Sequence, residues 1–323
     1  MAQVYSHLDR DYRKALKELR IALRGQPNDG YIWARVGYAE RRLGNWSAVR
    51  AAYEKATRLN PRAADLFVDL GGLTFTFLRR YPEAVRAYDQ SLALAPDMPQ
   101  ARLQRAEVYV RWKGSLDTLQ AVLDQLPPEA DLGAHGKAWG WQAELLLLQH
   151  RPEALLALLS SIPEPAFRGQ NFYTPRALYA AQAYELRGDT AAARAAYTSA
   201  CALLDSVIAE SPSEMGVHYS RAVALAGLGR RREALREIGW VQTCDGYRSD
   251  AFSGPVWAEW CAAILGRIGQ TNVALDEVER LLAGPSWLTA HTLRLDPRWD
   301  PIRENPRFKA LLVKYANPER PAG

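Results

Sequence analysis

Apolar residues recur along this chain at helical spacing, and the helical stretches come in pairs. Asn45–Pro61, NWSAVRAAYEKATRLNP, shows the pattern. A turn residue and an aromatic open it (Asn45, Trp46), Val49, Tyr53 and Ala56 follow at steps of four and three, and Pro61 closes it. The stretches ending at Pro27 (DYRKALKELRIALRGQP) and at Pro96 (RYPEAVRAYDQSLALAP) repeat it. A period in the mid-thirties marks a helical repeat array. A small residue where two antiparallel helices cross lets them approach, and large apolar residues beside it fill the space. One pair cannot bury its apolar stripe alone, so the pairs stack.

The small position can be followed from Ala15 to Val49, Ala84, Leu119, Ala154, Ala193, Ala234 and Ala274, at spacings of 34, 35, 35, 35, 39, 41 and 40. Later units are therefore longer. Tyr12–Pro27 reads as the second helix of a pair, and residues 2–8 leave room for only a short piece before it, so the chain is expected to begin inside a repeat. Pro and Gly density marks Pro127–Gly136 and Pro163–Pro175 as loops. Three regions follow: an N-terminal array at 1–165, longer repeats at 166–285, and a cap and tail at 286–323. In the last, Pro297, Pro301 and Pro306 break the helical pattern. Trp287, Leu293, Leu295, Trp299, Ile302, Phe308 and Leu311 form an apolar set expected to cover the final helix pair, because a solenoid needs its last face hidden.

The unit Asn28–Pro61 resembles the tetratricopeptide (TPR) family. Trp33 and Gly37 in its first helix and Trp46, Tyr53, Ala56 and Pro61 in its second carry the likeness, while Val36, Glu40 and Val49 depart from the usual residues. The first third of the chain matches best. The resemblance implies an all-α fold: an α-solenoid, a right-handed superhelix of about eight TPR or TPR-like helix pairs with a C-terminal cap. The tail LRLDPRWDPIRENPRFKALL is similar to the ends of TPR regions in bacterial signalling proteins, including eukaryotic-type Ser/Thr kinases, adenylate cyclases and winged-helix regulators. It implies a module of such a protein. No kinase, cyclase or winged-helix motif is present, so those activities do not carry over.

Composition changes this picture little. The chain is 48% hydrophobic and 24% charged over 323 residues, that of an ordinary folded protein. No apolar run is long enough to span a membrane, and the start lacks a signal-peptide core. A cytoplasmic setting is expected, with the periplasm as the alternative if the chain belongs to a transmembrane signalling protein. Cys201, Cys244 and Cys261 are too far apart for a metal cluster and odd in number. The net charge of +5, with 34 arginines among 41 basic residues, could favour an acidic partner.

Candidate chemistry is sparse. His7, His135, His150, His218 and His291 fall in no metal-ligand spacing, and Gly227–Arg232 lacks the third glycine and preceding strand of a dinucleotide loop. No catalytic, cofactor or metal residue is assigned. Trp139, Trp141, Trp257 and Trp260 could line a small-molecule pocket. The TPR resemblance implies that first helices line a concave groove. It places Tyr31, Arg35, Tyr38, Arg41 and Arg42 there, then Asp69 and Phe75, then Gln104 and Arg111, and in the second half Tyr179 and Gln182. Tyrosine and arginine are enriched at energetic centres of interfaces, and arginine grips carboxylates bidentately. The expected function is a non-enzymatic scaffold for a protein or peptide bearing acidic groups. The residues Ala34, Tyr38, Asp69, Gln100 and Gln104 do not supply the lysine, asparagine and arginine clamp with which chaperone-binding TPR domains hold a terminal carboxylate. RNA binding is the alternative that the basic balance suggests, but Asp65, Asp69 and Glu107 interrupt any basic stripe.

Overall fold

A computed structural model describes residues 11–133, 136–169 and 172–319. The expectations on residues 2–8, His7 and His135 lie outside them. Among the described residues the chain is helical apart from one two-stranded hairpin and an isolated bridge between Asp131 and Lys137. The helices are α1 (Tyr12–Gly25), α2 (Gly30–Arg42), α3 (Trp46–Leu59), α4 (Ala64–Asp69), α5 (Tyr81–Leu94), α6 (Pro99–Lys113), α7 (Asp117–Leu123), α8 (Ala138–Leu148) and α9 (Pro152–Ser161). After strands β1 (Ala166–Arg168) and β2 (Tyr173–Pro175) come α10 (Arg176–Leu186), α11 (Thr190–Glu210), α12 (Met215–Gly227), α13 (Arg231–Thr243), α14 (Asp245–Arg248), α15 (Ser253–Arg267) and α16 (Thr271–Ala283). The final pieces are α17 (Ala290–Leu295), a 3-10 turn (Pro297–Trp299), α18 (Asp300–Arg303) and α19 (Pro306–Lys314).

Local sequence sets these boundaries. The Asp29 carboxylate accepts from the Tyr31 and Ile32 amides to start α2, and Gly44, at φ 78°, turns the chain into α3. Within α3, Val49, Tyr53 and Ala56 are buried. Ala15, Ala84, Leu119, Ala193, Ala234 and Ala274 are buried likewise, but Ala154 is partly exposed and Leu155 fills the packing position. Two features lengthen the later units: α11 runs for 21 residues, and α14 is inserted between α13 and α15.

Two stretches differ from expectation. Pro163–Pro175 is not only loop, because Ala166–Arg168 pairs antiparallel with Tyr173–Pro175. Buried Phe167 and Tyr173 anchor that hairpin to the helices on either side. After Asp69, α4 widens into a π-helical turn, Leu70–Thr76, with the Thr76 hydroxyl donating to the Gly71 carbonyl at 2.8 Å. The extra residue per turn rotates everything after it about the helix axis.

The inner turns of successive units share a left-handed residue. Gly44, Gly114, Gly188, Gly229 and Gly269 occupy it, as glycine does at little cost. Arg79 (φ 58°) and His150 (φ 54°) occupy the same place and accept strain. The first four of these turns meet the C-terminal region in order. Gly44 lies against Ala251, Arg79 grips Leu281–Leu288, Gly114 faces His291, and His150 reaches the Leu295 carbonyl. The C-terminal segment therefore does more than cap α15 and α16. Trp299, Ile302, Phe308 and Leu311 cover that pair, whereas Leu295 packs with Leu103 and Leu119 and Trp287 packs on Phe77. The solenoid closes on itself along this seam.

Arg79 is the centre of the seam. Its guanidinium donates to the carbonyls of Leu282 (2.5 Å), Leu281 (2.8 Å) and Leu288 (3.0 Å) and to the Ser286 hydroxyl (3.1 Å). Beside it, Phe77 is enclosed by Trp46, Phe252 and Trp287. Next along, Arg42 binds the Asp250 carboxylate and the Ser253 hydroxyl, both at 2.6 Å, and its carbonyl accepts from Ala251. Asp250 also accepts from the Phe252 and Ser253 amides, so one carboxylate starts α15 and ties it to α2.

Two stability predictions follow from this packing. A Cβ at Gly37 would lie 2.7 Å from the buried Tyr53 ring, so Gly37→Ala is expected to cost about 1–3 kcal/mol in urea unfolding; an unchanged midpoint would refute the close helix approach. Arg79→Gly relieves a left-handed backbone costing about 1–2 kcal/mol but deletes four charge-assisted hydrogen bonds, each on the order of 1.5–3 kcal/mol. The variant is expected to be less stable by at least about 4 kcal/mol, with faster hydrogen exchange at 284–290. A stabilised variant would show that backbone strain outweighs the seam.

Candidate functional site

Closure converts the concave face into a cavity of about 890 Å³, lined by α2, α4, α6, α8 and α10 on its walls and by α12, α15 and the 287–298 segment towards the seam. Exposure falls along α2 from Tyr31 (47%) and exposed Arg35, through half-buried Tyr38, to Arg41 (2%). The mouth therefore lies at the start of the inner helices and the floor at the seam.

Most of the residues expected in a groove meet at this cavity, but they are not equally available. Tyr31 and Arg35 stand at the mouth, where the Tyr31 hydroxyl donates to Asp65 at 3.3 Å. Arg42 lines the wall but is held by Asp250, Ser253 and the Tyr38 hydroxyl oxygen (3.1 Å). Arg41 is flattened on the Phe252 ring, 4.0 Å from its centroid, and its Nε and Nη1 are buried with no hydrogen-bond partner. Burial lowers its pKa. Arg111 donates to the Trp287 carbonyl (3.2 Å) and to Glu107 (3.0 Å). Gln104 accepts from Tyr88 (3.0 Å), and Tyr179 donates to Glu144 (3.1 Å). Phe75 is absent from the wall: the π-helical turn rotates it into the core beside Tyr81 and Tyr88, and Thr76 faces the cavity instead. Gln182 lines a smaller second cavity of about 260 Å³, which Tyr219 separates from the first.

The C-terminal half supplies groups that the repeat pattern did not single out. Arg298 binds Asp296 at 2.8 Å and also Glu144, bridging the seam segment to α8. Glu259 of α15 lines the floor, as do Trp260 and Tyr219, whose rings pack on each other. Trp141, Trp257 and Trp260 line the cavity, whereas Trp139 is buried among Leu147, Leu155 and Phe167. The one signal for Glu259 in the sequence was its place between Trp257 and Trp260, a carboxylate within an apolar helical stretch. His218 is structural: it stacks on Trp240 and bonds Glu237 at 2.6 Å.

The formal charges of the cavity wall nearly balance. In a chain of net charge +5, the described cavity wall carries six carboxylates (Asp65, Asp69, Glu107, Glu144, Glu259, Asp296) against five arginines (Arg35, Arg41, Arg42, Arg111, Arg298). Burial raises the Asp69 pKa to about 6, against the opposing pull of Arg41. Burial raises Glu259 to about 7, against Arg111.

No family model matches the chain. Over 132 residues it is 25% identical to protein O-mannosyl-transferase TMTC3 of Mus musculus, a match spanning 36% of this chain and 14% of that relative. Among solved structures it is similar to a tetratricopeptide repeat protein from Parabacteroides merdae, at 15% identity, covering 98% of this chain and 96% of that one, with a TM-score of 0.35. It is also similar to PilW, a widely conserved type IV pilus biogenesis factor, at 16% identity, covering 77% of this chain and 93% of that one, with a TM-score of 0.38. The chain is an all-α solenoid of stacked helix pairs.

The two raised carboxyls give a pH prediction. A group with a raised folded pKa binds its proton more tightly when folded, so its contribution is full below the unfolded value and is lost as pH rises through the folded one. For Glu259 that window runs from 4.5 to about 7, and for Asp69 from 3.8 to about 6. Glu259→Gln keeps the shape and removes the ionisation, so it is expected to raise Tm more at about pH 8 than at about pH 5. Parallel Tm–pH curves for the two proteins would place Glu259 in ordinary solvent.

Proposed function

We propose that the chain is a non-enzymatic recognition module that admits a narrow projecting segment of a protein or peptide partner end-on into its cavity. The enclosure of that cavity by both halves of the solenoid carries the reading. A segment lying along the whole concave face would collide with α15 and the 287–298 segment, whereas the mouth at Tyr31, Arg35 and Asp65 leaves access to an end. The wall is rich in tyrosine and tryptophan, which give contact area at low entropic cost. Its arginines are interspersed with carboxylates, which leaves no basic stripe for a phosphate backbone at this place. The volume also lies in the range of about 300–1,000 Å³ typical of small-molecule sites, which supports a free small molecule as the second reading. The resemblance of the tail to TPR regions of bacterial signalling proteins supports placing the module in such a protein.

Display selection of short peptides tests this. Selected peptides are expected to lose binding by at least about tenfold to Val256→Trp, which fills the cavity from α15, with the helical circular dichroism unchanged. Undiminished binding to the filled variant would remove the cavity from the function.

A further inference from the structure

Glu259 differs from every other carboxylate near the floor. Glu144 and Asp296 are both bound by Arg298, and Glu107 is bound by Arg111. Those arginines are thereby occupied. Arg111 spends its remaining contact on the Trp287 carbonyl, and neither arginine crosses to Glu259. Among the described residues Glu259 has neither a hydrogen bond nor an ion pair, only the longer-range pull of Arg111, Arg298 and Arg79; it is half-buried, and the surface it keeps faces the cavity. A half-buried charge without a bonded partner is costly, and its place on the cavity wall points to a partner that arrives from outside. On the same cavity wall Trp260, the next residue of α15, packs on Tyr219 with ring centroids 5.2 Å apart, and Trp257 meets Trp260 edge-on at 5.1 Å. Aromatic faces attract a cation electrostatically, most strongly where water is excluded.

Arg41 is the competing candidate, since it also lacks hydrogen bonds at two nitrogens and would call for an anion. Those nitrogens have no accessible surface, and its guanidinium is pressed on Phe252. Asp69 on the same wall is a carboxylate that acts on it, so the two offset one another. An occupant reaches Glu259 without rearrangement and does not reach those nitrogens of Arg41.

We propose that the cavity floor binds the cationic group of its occupant, an organic ammonium or guanidinium, with Glu259 as counter-ion and the rings of Trp260 and Tyr219 packed against it. This rests on reading the cavity as the binding site. It reverses the acidic partner that the arginine-rich composition suggested, because the inner arginines are consumed within the protein.

The test uses n-butylammonium, with n-butyrate as the probe of opposite charge, followed by tryptophan fluorescence at about pH 8, above the Glu259 midpoint of about 7. Saturable quenching by n-butylammonium and none by n-butyrate is expected. Glu259→Gln should weaken n-butylammonium at least about tenfold, while Glu210→Gln, at the exposed end of α11 and away from the cavity, leaves it within about twofold. Peptides selected on the cavity should carry a lysine, arginine or free amino end and lose affinity to Glu259→Gln. Equal binding of the two probes, no saturable binding of n-butylammonium, or indifference to Glu259→Gln would overturn the inference. If selected peptides respond to Val256→Trp but not to Glu259→Gln, the cavity reading stands and the charge assignment falls. If n-butylammonium depends on Glu259 while the peptides ignore Val256→Trp, the cation site stands and the segment reading falls.

Discussion

The molecule depends on one guanidinium placed in an inter-helix turn. Arg79 takes a backbone conformation that its neighbours give to glycine, and uses it to reach four acceptors on the far side of the superhelix. Two of those acceptors are carbonyls at the end of α16, which a helix leaves unsatisfied. The positive charge therefore meets the negative end of a helix as well as its free lone pairs. Asp250 does the complementary work at the start of α15 and accepts from Arg42. The last full helix pair is thus held at both of its outer ends by one arginine from the end of α2 and one from the next inner turn.

Closure explains why the inner face has the character it does. An open groove would leave Arg41, Arg42 and Arg111 to solvent or to a partner. Here Phe252, Asp250 and the Trp287 carbonyl take them, and the aromatic residues brought by α15 become the floor. The π-helical turn has a related effect on a smaller scale. By bringing Gly71 and Gly72 against Tyr88 it lets α4 sit close to α5, and it exchanges Phe75 for Thr76 on the inner face.

The helices were legible because local spacing encodes them. Tyr53, Ala56 and the small position that runs from Ala15 to Ala274 report packing between sequence neighbours, and period is enough to find them. Where two adjacent residues both suit the position, as at Ala154 and Leu155, period alone did not choose. The seam was not legible, since it joins residues some 200 positions apart, and no local pattern carries such a pairing. One trace was present: at 79 and 150 a bulky residue replaces the turn glycine found in the other units. The candidate site was half visible for the same reason. Tyr31, Tyr38 and Gln104 follow from helix phase, but Glu259, Asp296 and Arg298 join them only after the chain has come round.

Coming round also changes how the molecule loses structure. In an open stack each unit leans only on the next, and the outermost ones fray independently. A closed stack gives its early and late units a common boundary, so neither can melt without the other. Bringing residues 208 apart together costs about 5 kcal/mol of chain entropy by the logarithmic loop law, beyond a constant. That debt falls due once and late, after the individual hairpins have formed, so the joining step rather than helix formation sets the pace at which the native ring appears.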